Sequence, residues 1–211
     1  MEGQSTRLVL VRHGQHHTIG TSQAHDEGLT ALGIRQAELT AAALPLEEDD
    51  VLVASSLRRA QETARAFGRS FDALDGLCEM DFGVHAPSTE EMVEERLDLA
   101  LWRPEHGFPG GETLRAFQTR VAATLERLVR DNLGRRVVAV THSGFLDGAI
   151  RWAYGATPES DWTTESPVWN ASITELEHWP QGRYEGGAPR FTFLVRVGDV
   201  SHLPPELVTE I

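Results

Sequence analysis

Two segments of the chain share one pattern. Arg7-Leu8-Val9-Leu10-Val11-Arg12-His13-Gly14 and Arg136-Val137-Val138-Ala139-Val140-Thr141-His142-Ser143 each run apolar without alternation and then deliver a histidine and a small residue. A continuous apolar run of this length reads as a strand buried on both faces. Asp50 to Ala54 is a third such run, and Leu74 to Cys78 reads as a short further strand. Helix-period stretches lie between them. Leu29 to Leu44 stops before Pro45. A second follows Ser55-Ser56, whose hydroxyls offer caps, and carries Leu57, Ala60, Ala64 and Phe67 on one face. Leu114, Phe117, Val121, Leu125 and Leu128 recur at three and four, and that helix ends at Gly134. The last helix carries Phe145, Leu146, Ala149, Ile150 and Ala153. Strands alternating with helices predict an α/β fold with a largely parallel sheet. Trp169 to Trp179 and Arg190 to Val197 are late strands that add an antiparallel edge.

Between Asp81 and Gly110 the pattern weakens. Met92, Val93, Leu97 and Leu101 among Glu90, Glu91, Glu94, Glu95 and Asp98 predict a short helix with an acidic face, followed by a Pro/Gly-rich loop. No linker or low-complexity tract interrupts the chain, so residues 1–211 read as one domain.

Composition narrows the function. Net charge is −13, which disfavours a nucleic-acid grip but not a small anion held by a few clustered arginines. No stretch has the roughly 18–20 apolar residues of a membrane span. The polar start, Met1 to Thr6, lacks the basic and apolar regions of a leader, and the single Cys78 rules out an internal disulfide. A cytoplasmic location is the expectation.

Both histidines stand just past the carboxyl end of a buried strand, where ligands bind in open α/β sheets. If the strands are neighbours, the imidazoles face one pocket; otherwise they are two loop residues with no joint role. Arg12 precedes His13, and Arg58 and Arg59 open the helix after the next strand, where the helix dipole favours an anion. Guanidinium forks match phosphate oxygens.

On these residues the chain resembles the histidine phosphatase superfamily, the phosphoglycerate mutase-like group (branch 1). Leu10-Val11-Arg12-His13-Gly14 is similar to that family's signature. Leu29 to Ala37 resembles its L-T-x-x-G-x-x-Q-A stretch, and Ser55 to Ala64 its S-x-L-x-R-A-x-x-T-A segment. Leu77 to Gly83 resembles L-x-E-x-x-x-G, and Val140-Thr141-His142-Ser143-Gly144 the second-histidine motif. Gly110-Gly111-Glu112-Thr113 and Asn170-Ala171-Ser172 also look familial. Five matched segments in order carry the resemblance; a lone R-H-G would not. Two departures stand out. His16, His17, Thr18 and Ile19 occupy the stretch where the family often has a phosphate-contacting asparagine, with Thr18 the suggested substitute. Ser143 stands where glycine is common.

The resemblance implies a three-layer α/β/α domain and a metal-independent phosphoric monoester hydrolase needing no cofactor. His13 is the implied nucleophile. Arg12, Arg59 and His142 bind the phosphoryl oxygens, and Glu79 is the acid and base, a role that partial burial beside Leu77 and Phe82 would favour. Arg58 then belongs to the surface. Thr18, Ser143 and His85 are further substrate-binding expectations, the partner being a small phosphorylated metabolite, with no nucleic acid or membrane and a homodimer as a possible assembly. A mutase is the alternative, but Asp81 to Glu112 holds only Arg96 and Arg103 as cations, so hydrolysis is preferred. A non-catalytic phosphate-binding protein is the second alternative, and it would have been favoured by loss of His13, Glu79 or an arginine.

Other residues read more plainly. Adjacent His16 and His17 do not easily ligate one ion with His25, so no metal is expected. His106, His178 and His202 read as surface residues and Cys78 as packing. The five tryptophans read mostly as core or interface residues, and nothing in the sequence singles one out as a pocket floor.

Overall fold

The structure is a computed structural model that describes residues 3–17, 26–83, 103–107, 110–163, 165–187 and 190–209. The acidic helix expected around Met92 to Leu101 lies outside these residues, as do His25, Thr18 and His85.

Six strands form one sheet in the order β3-β2-β4-β1-β5-β6. They are β1 (Thr6–Arg12), β2 (Val51–Ser55), β3 (Asp72–Leu74), β4 (Arg136–Thr141), β5 (Ile173–Trp179) and β6 (Phe191–Asp199). The first four run parallel, while β5 pairs antiparallel with both β1 and β6. The two matching apolar runs are neighbours in register, with Arg7 opposite Arg136 and Arg12 opposite Thr141. His13 and His142 therefore leave adjacent strands at the same level.

Among the described residues four helices cover the sheet: α1 (Ala31–Ala43), α2 (Arg58–Arg65), α3 (Leu114–Asp131) and α4 (Ser143–Ala153). Side chains alternate across a strand, so Leu8 and Leu10 enter the core under α3 and α4, while Val9 and Val11 enter the core with Leu44, Ala60 and Ala64 of the α1 and α2 side. Burial on both faces is why these strands show no polar alternation. The helices following β1 and β4 lie on opposite faces, so the sheet opens a crevice between those two strand ends.

Several local expectations shift. The third strand is Asp72–Leu74, and Asp75–Leu77 turns into a 3-10 helix instead of continuing it. The residue capping α2 is Leu57; Ser55 Oγ accepts from the Leu57 N–H, and Ser56 Oγ turns to Asp75. β5 starts at Ile173 because Ala171 has φ of 58°, which breaks extended backbone. His178 is buried against Trp152, with ring centroids 4.6 Å apart, and His202 is half-buried, its Nε2 2.9 Å from Thr40 Oγ1. Neither is a surface residue. β6 keeps Phe191, Phe193, Val195 and Val197 exposed along one face.

Candidate active site

His13, at the end of β1, is 3% exposed. Its Nδ1 is 2.8 Å from the Gly14 carbonyl, which can only accept, so Nδ1 carries the hydrogen and Nε2 the lone pair. Three backbone contacts hold the loop. His13 N–H donates to Thr141 O, Gly14 N–H donates to Thr63 Oγ1 at 3.0 Å, and the His13 carbonyl accepts from Ala171 N–H. Gly14 and Gly33 face each other so closely that a Cβ on either would strike backbone, Gly33's meeting the Gln15 carbonyl. Glycine at these positions is what allows α1 to pack against the loop.

His142 ends β4 and is fully buried. Its ring lies 5.0 Å from that of His13. Arg59, in the first turn of α2, points its Nε between them, 3.3 Å from His13 Nε2 and 3.2 Å from His142 Nδ1. Nδ1 of His142 thus accepts, and Nε2–H donates to Ser55 Oγ at 2.8 Å. Arg12, also buried, donates from Nη1 to the Val168 carbonyl. Arg58, one residue from Arg59, faces solvent and pairs with Glu62.

Electrostatics follow from burial and this density of cations. Burial, then Arg59, His142, Arg12 and His16, holds His13 well below the usual imidazole pKa. His142 is lowered likewise, by burial and then by Arg59 and Arg12. Burial takes Arg12 down to about 10, against an opposing pull from Glu79. The cluster is a neutral imidazole pair under concentrated positive charge, which suits an anion.

Glu79 comes in beside this cluster from the segment after β3. Its carboxylate accepts from Met80 N–H, Gly144 N–H and Ser143 Oγ at 2.9, 3.0 and 3.2 Å. It therefore rests on the N-terminus of α4, where a carboxylate is favoured. Ser143 is tied to Glu79 through its hydroxyl. Glu79, Ser143 and Gly144 also line a cavity of about 180 Å³ with Met80, Phe82, Leu114, Phe117 and Trp162. Among the described tryptophans Trp162 is the one lining this cavity.

Further side chains position these groups. Arg120 of α3 donates to the carbonyls of Gly76, Cys78 and Glu79 while paired with Glu112, and Glu112 also accepts from Asp81 N–H. The Gly-Gly-Glu-Thr stretch clamps the acid segment. Asn170 is fully buried beside the His13 carbonyl. His16 packs edge-on against His13 at 5.0 Å, whereas His17 is exposed. Only their spacing from His13 was visible beforehand. Among the described residues no group of three or more His, Cys, Asp or Glu is arranged to hold a metal.

A model of the histidine phosphatase superfamily (branch 1) matches residues 8–185. The chain belongs to the histidine phosphatase superfamily. Within that superfamily it is 32% identical to an acid phosphatase of Mycobacterium tuberculosis, over 69% of this chain and 75% of that protein. It is 31% identical to a putative phosphoserine phosphatase 2 of Hydrogenobacter thermophilus, over 81% of this chain and 88% of the relative. The solved mycobacterial glucosyl-3-phosphoglycerate phosphatase superposes with a TM-score of 0.74 at 24% identity, covering 91% of this chain and 98% of that one. That likeness carries the α/β/α fold of this histidine phosphatase, and the named relatives carry hydrolysis of phosphate esters as the chemistry of its kin.

Proposed function

We propose that this histidine phosphatase is a single catalytic domain that hydrolyses small phosphate monoesters without a metal, through a phosphohistidine on His13. The observation that carries this is the Nε2 lone pair of His13, aimed into a cluster formed by Arg59, Arg12 and His142. Nε2 attacks phosphorus in line as the ester P–O bond breaks, and Glu79 gives a proton to the departing oxygen. Arg12 and Arg59 take equatorial oxygens, the charge-spreading task that metal ions perform elsewhere, and the bound dianion draws a proton onto His142 Nδ1 so that it donates to a further oxygen while Nε2–H stays on Ser55. Water, deprotonated by Glu79, then breaks the P–N bond and releases phosphate. Thr18 and His85 remain proposed as substrate contacts, and Ser143 as a phosphate contact through its backbone N–H.

Named relatives act on phosphoserine and on glucosyl-3-phosphoglycerate, which supports a small phosphorylated metabolite here. The lone thiol, Cys78, suits the reducing cytoplasm, which cell fractionation checks. The apolar stripe on edge strand β6 supports a homodimer through a second copy, to be read by sedimentation.

Turnover of p-nitrophenyl phosphate with EDTA present tests the reaction. Wild type is expected to be active there, His13→Ala inactive, and Glu79→Gln impaired mainly on alkyl phosphates. Wild-type rates from His13→Ala would sink the mechanism.

A further inference from the structure

The cavity beside Glu79 has one polar end and one apolar end. Its half-buried members are Glu79, Phe82, Ser143 and Gly144; its buried members are Met80, Leu114, Phe117 and Trp162. The more exposed side is therefore at Glu79, the proposed acid, with Phe82 beside it, and the depth is hydrocarbon and aromatic ring. The Trp162 ring lies 4.8 Å from the Arg151 guanidinium and 6.1 Å from Phe117. Phe117 is held in turn by Arg120, 5.1 Å from its ring. These walls are preformed.

Two properties select an occupant. The first is size: an apolar cavity of about 150 Å³ is enough to take up benzene, and this one is about 180 Å³. The second is charge. None of the described lining residues is Arg or Lys, and the only charged one is Glu79. A leaving group bearing a carboxylate, as in phosphoserine or a phosphoglycerate, would find no cation among the described lining residues and would lose its hydration against apolar walls.

We infer that the cavity binds the alcohol portion of the ester, and that the preferred substrates are monoesters of an uncharged, single-ring or similarly sized apolar alcohol. This rests on the phosphatase reading above and narrows it. The phosphoryl group sits among the two histidines and two arginines, the bridging oxygen reaches Glu79, and the ring enters between Leu114, Phe117 and Trp162.

The test compares kcat/KM of wild-type protein for benzyl phosphate, ethyl phosphate and phosphoserine, whose leaving oxygens are all alkyl. Benzyl phosphate is expected to exceed the other two by about 30-fold, the ratio that burial of one ring-sized apolar group gives. Leu114→Phe, which fills the cavity, is expected to bring the benzyl-to-ethyl ratio close to one, mostly by raising KM for benzyl phosphate. Ethyl phosphate or phosphoserine matching benzyl phosphate in wild type overturns the inference and leaves the phosphatase reading intact. If no ester is hydrolysed, the phosphatase reading falls, and calorimetry on the same protein decides the cavity. Benzylphosphonate binding about 30-fold more tightly than methylphosphonate retains it as a ring site; equal binding removes it.

Discussion

Which nitrogen of each site histidine carries hydrogen is decided by a neighbour that can play only one part. The Gly14 carbonyl accepts from His13 Nδ1, and the Arg59 Nε–H donates to His142 Nδ1. The rings of one sequence pattern thus present opposite faces to the anion site. A third ring joins them. His16 packs edge-on to His13, its buried Nδ1 has no hydrogen-bond partner among the described residues, and burial, then Arg59 and Arg12, takes its pKa down to about 4. At neutral pH it is an uncharged imidazole in the stretch where the family resemblance predicts a phosphate contact. His16→Ala is expected to lower kcat/KM for p-nitrophenyl phosphate about tenfold or more, and His16→Asn to recover most of it. An unchanged His16→Ala protein would reduce His16 to packing.

At the scale of elements, helix α3 matters through one side chain. Arg120 reaches out of the helix to three carbonyls of the segment 76–79 while Glu112 neutralises it. Arg120→Gln leaves those carbonyls short of a donor, costing about 2 kcal/mol of stability, read from urea denaturation. The larger expected effect is on chemistry. With Glu79 no longer held, alkyl phosphates should lose about tenfold in kcat, while p-nitrophenyl phosphate, whose leaving group needs no proton, is little affected. Equal losses on both substrates would show that the clamp does not act through Glu79.

Across the whole molecule, burial of imidazoles ties stability to pH. His13, His16, His142, His178 and His202 are all lowered from the usual value, His178 to about 4, mainly by burial. Unfolded, each titrates near 6.5. As pH falls from about 7 to about 4 the unfolded chain takes up protons that the folded chain refuses, so stability drops. Asp147 opposes this, since burial raises it to about 6 and its folded form keeps a proton longer between about pH 4 and 6. Five groups against one leave a net loss. Tm by circular dichroism should fall steadily between pH 7 and pH 4.5, and His178→Phe should flatten that slope. A constant Tm would mean that the imidazoles are solvated.

From the order of residues alone came the buried strands, the four helices, the α/β class, the two histidines at strand ends and the family resemblance. These are local: an unalternating apolar run, a spacing of three and four, or a motif is complete within a few residues. The register between β1 and β4, the placement of Arg59 Nε between two rings, Arg120 reaching back to the acid segment and the burial of His178 were decided by tertiary structure. Each joins residues that the chain separates by tens of positions, and the contact energy depends on distances that composition and periodicity do not encode. The apolar cavity beside Glu79 belongs with these, because Met80, Leu114 and Trp162 read as ordinary core until folding sets them around a space.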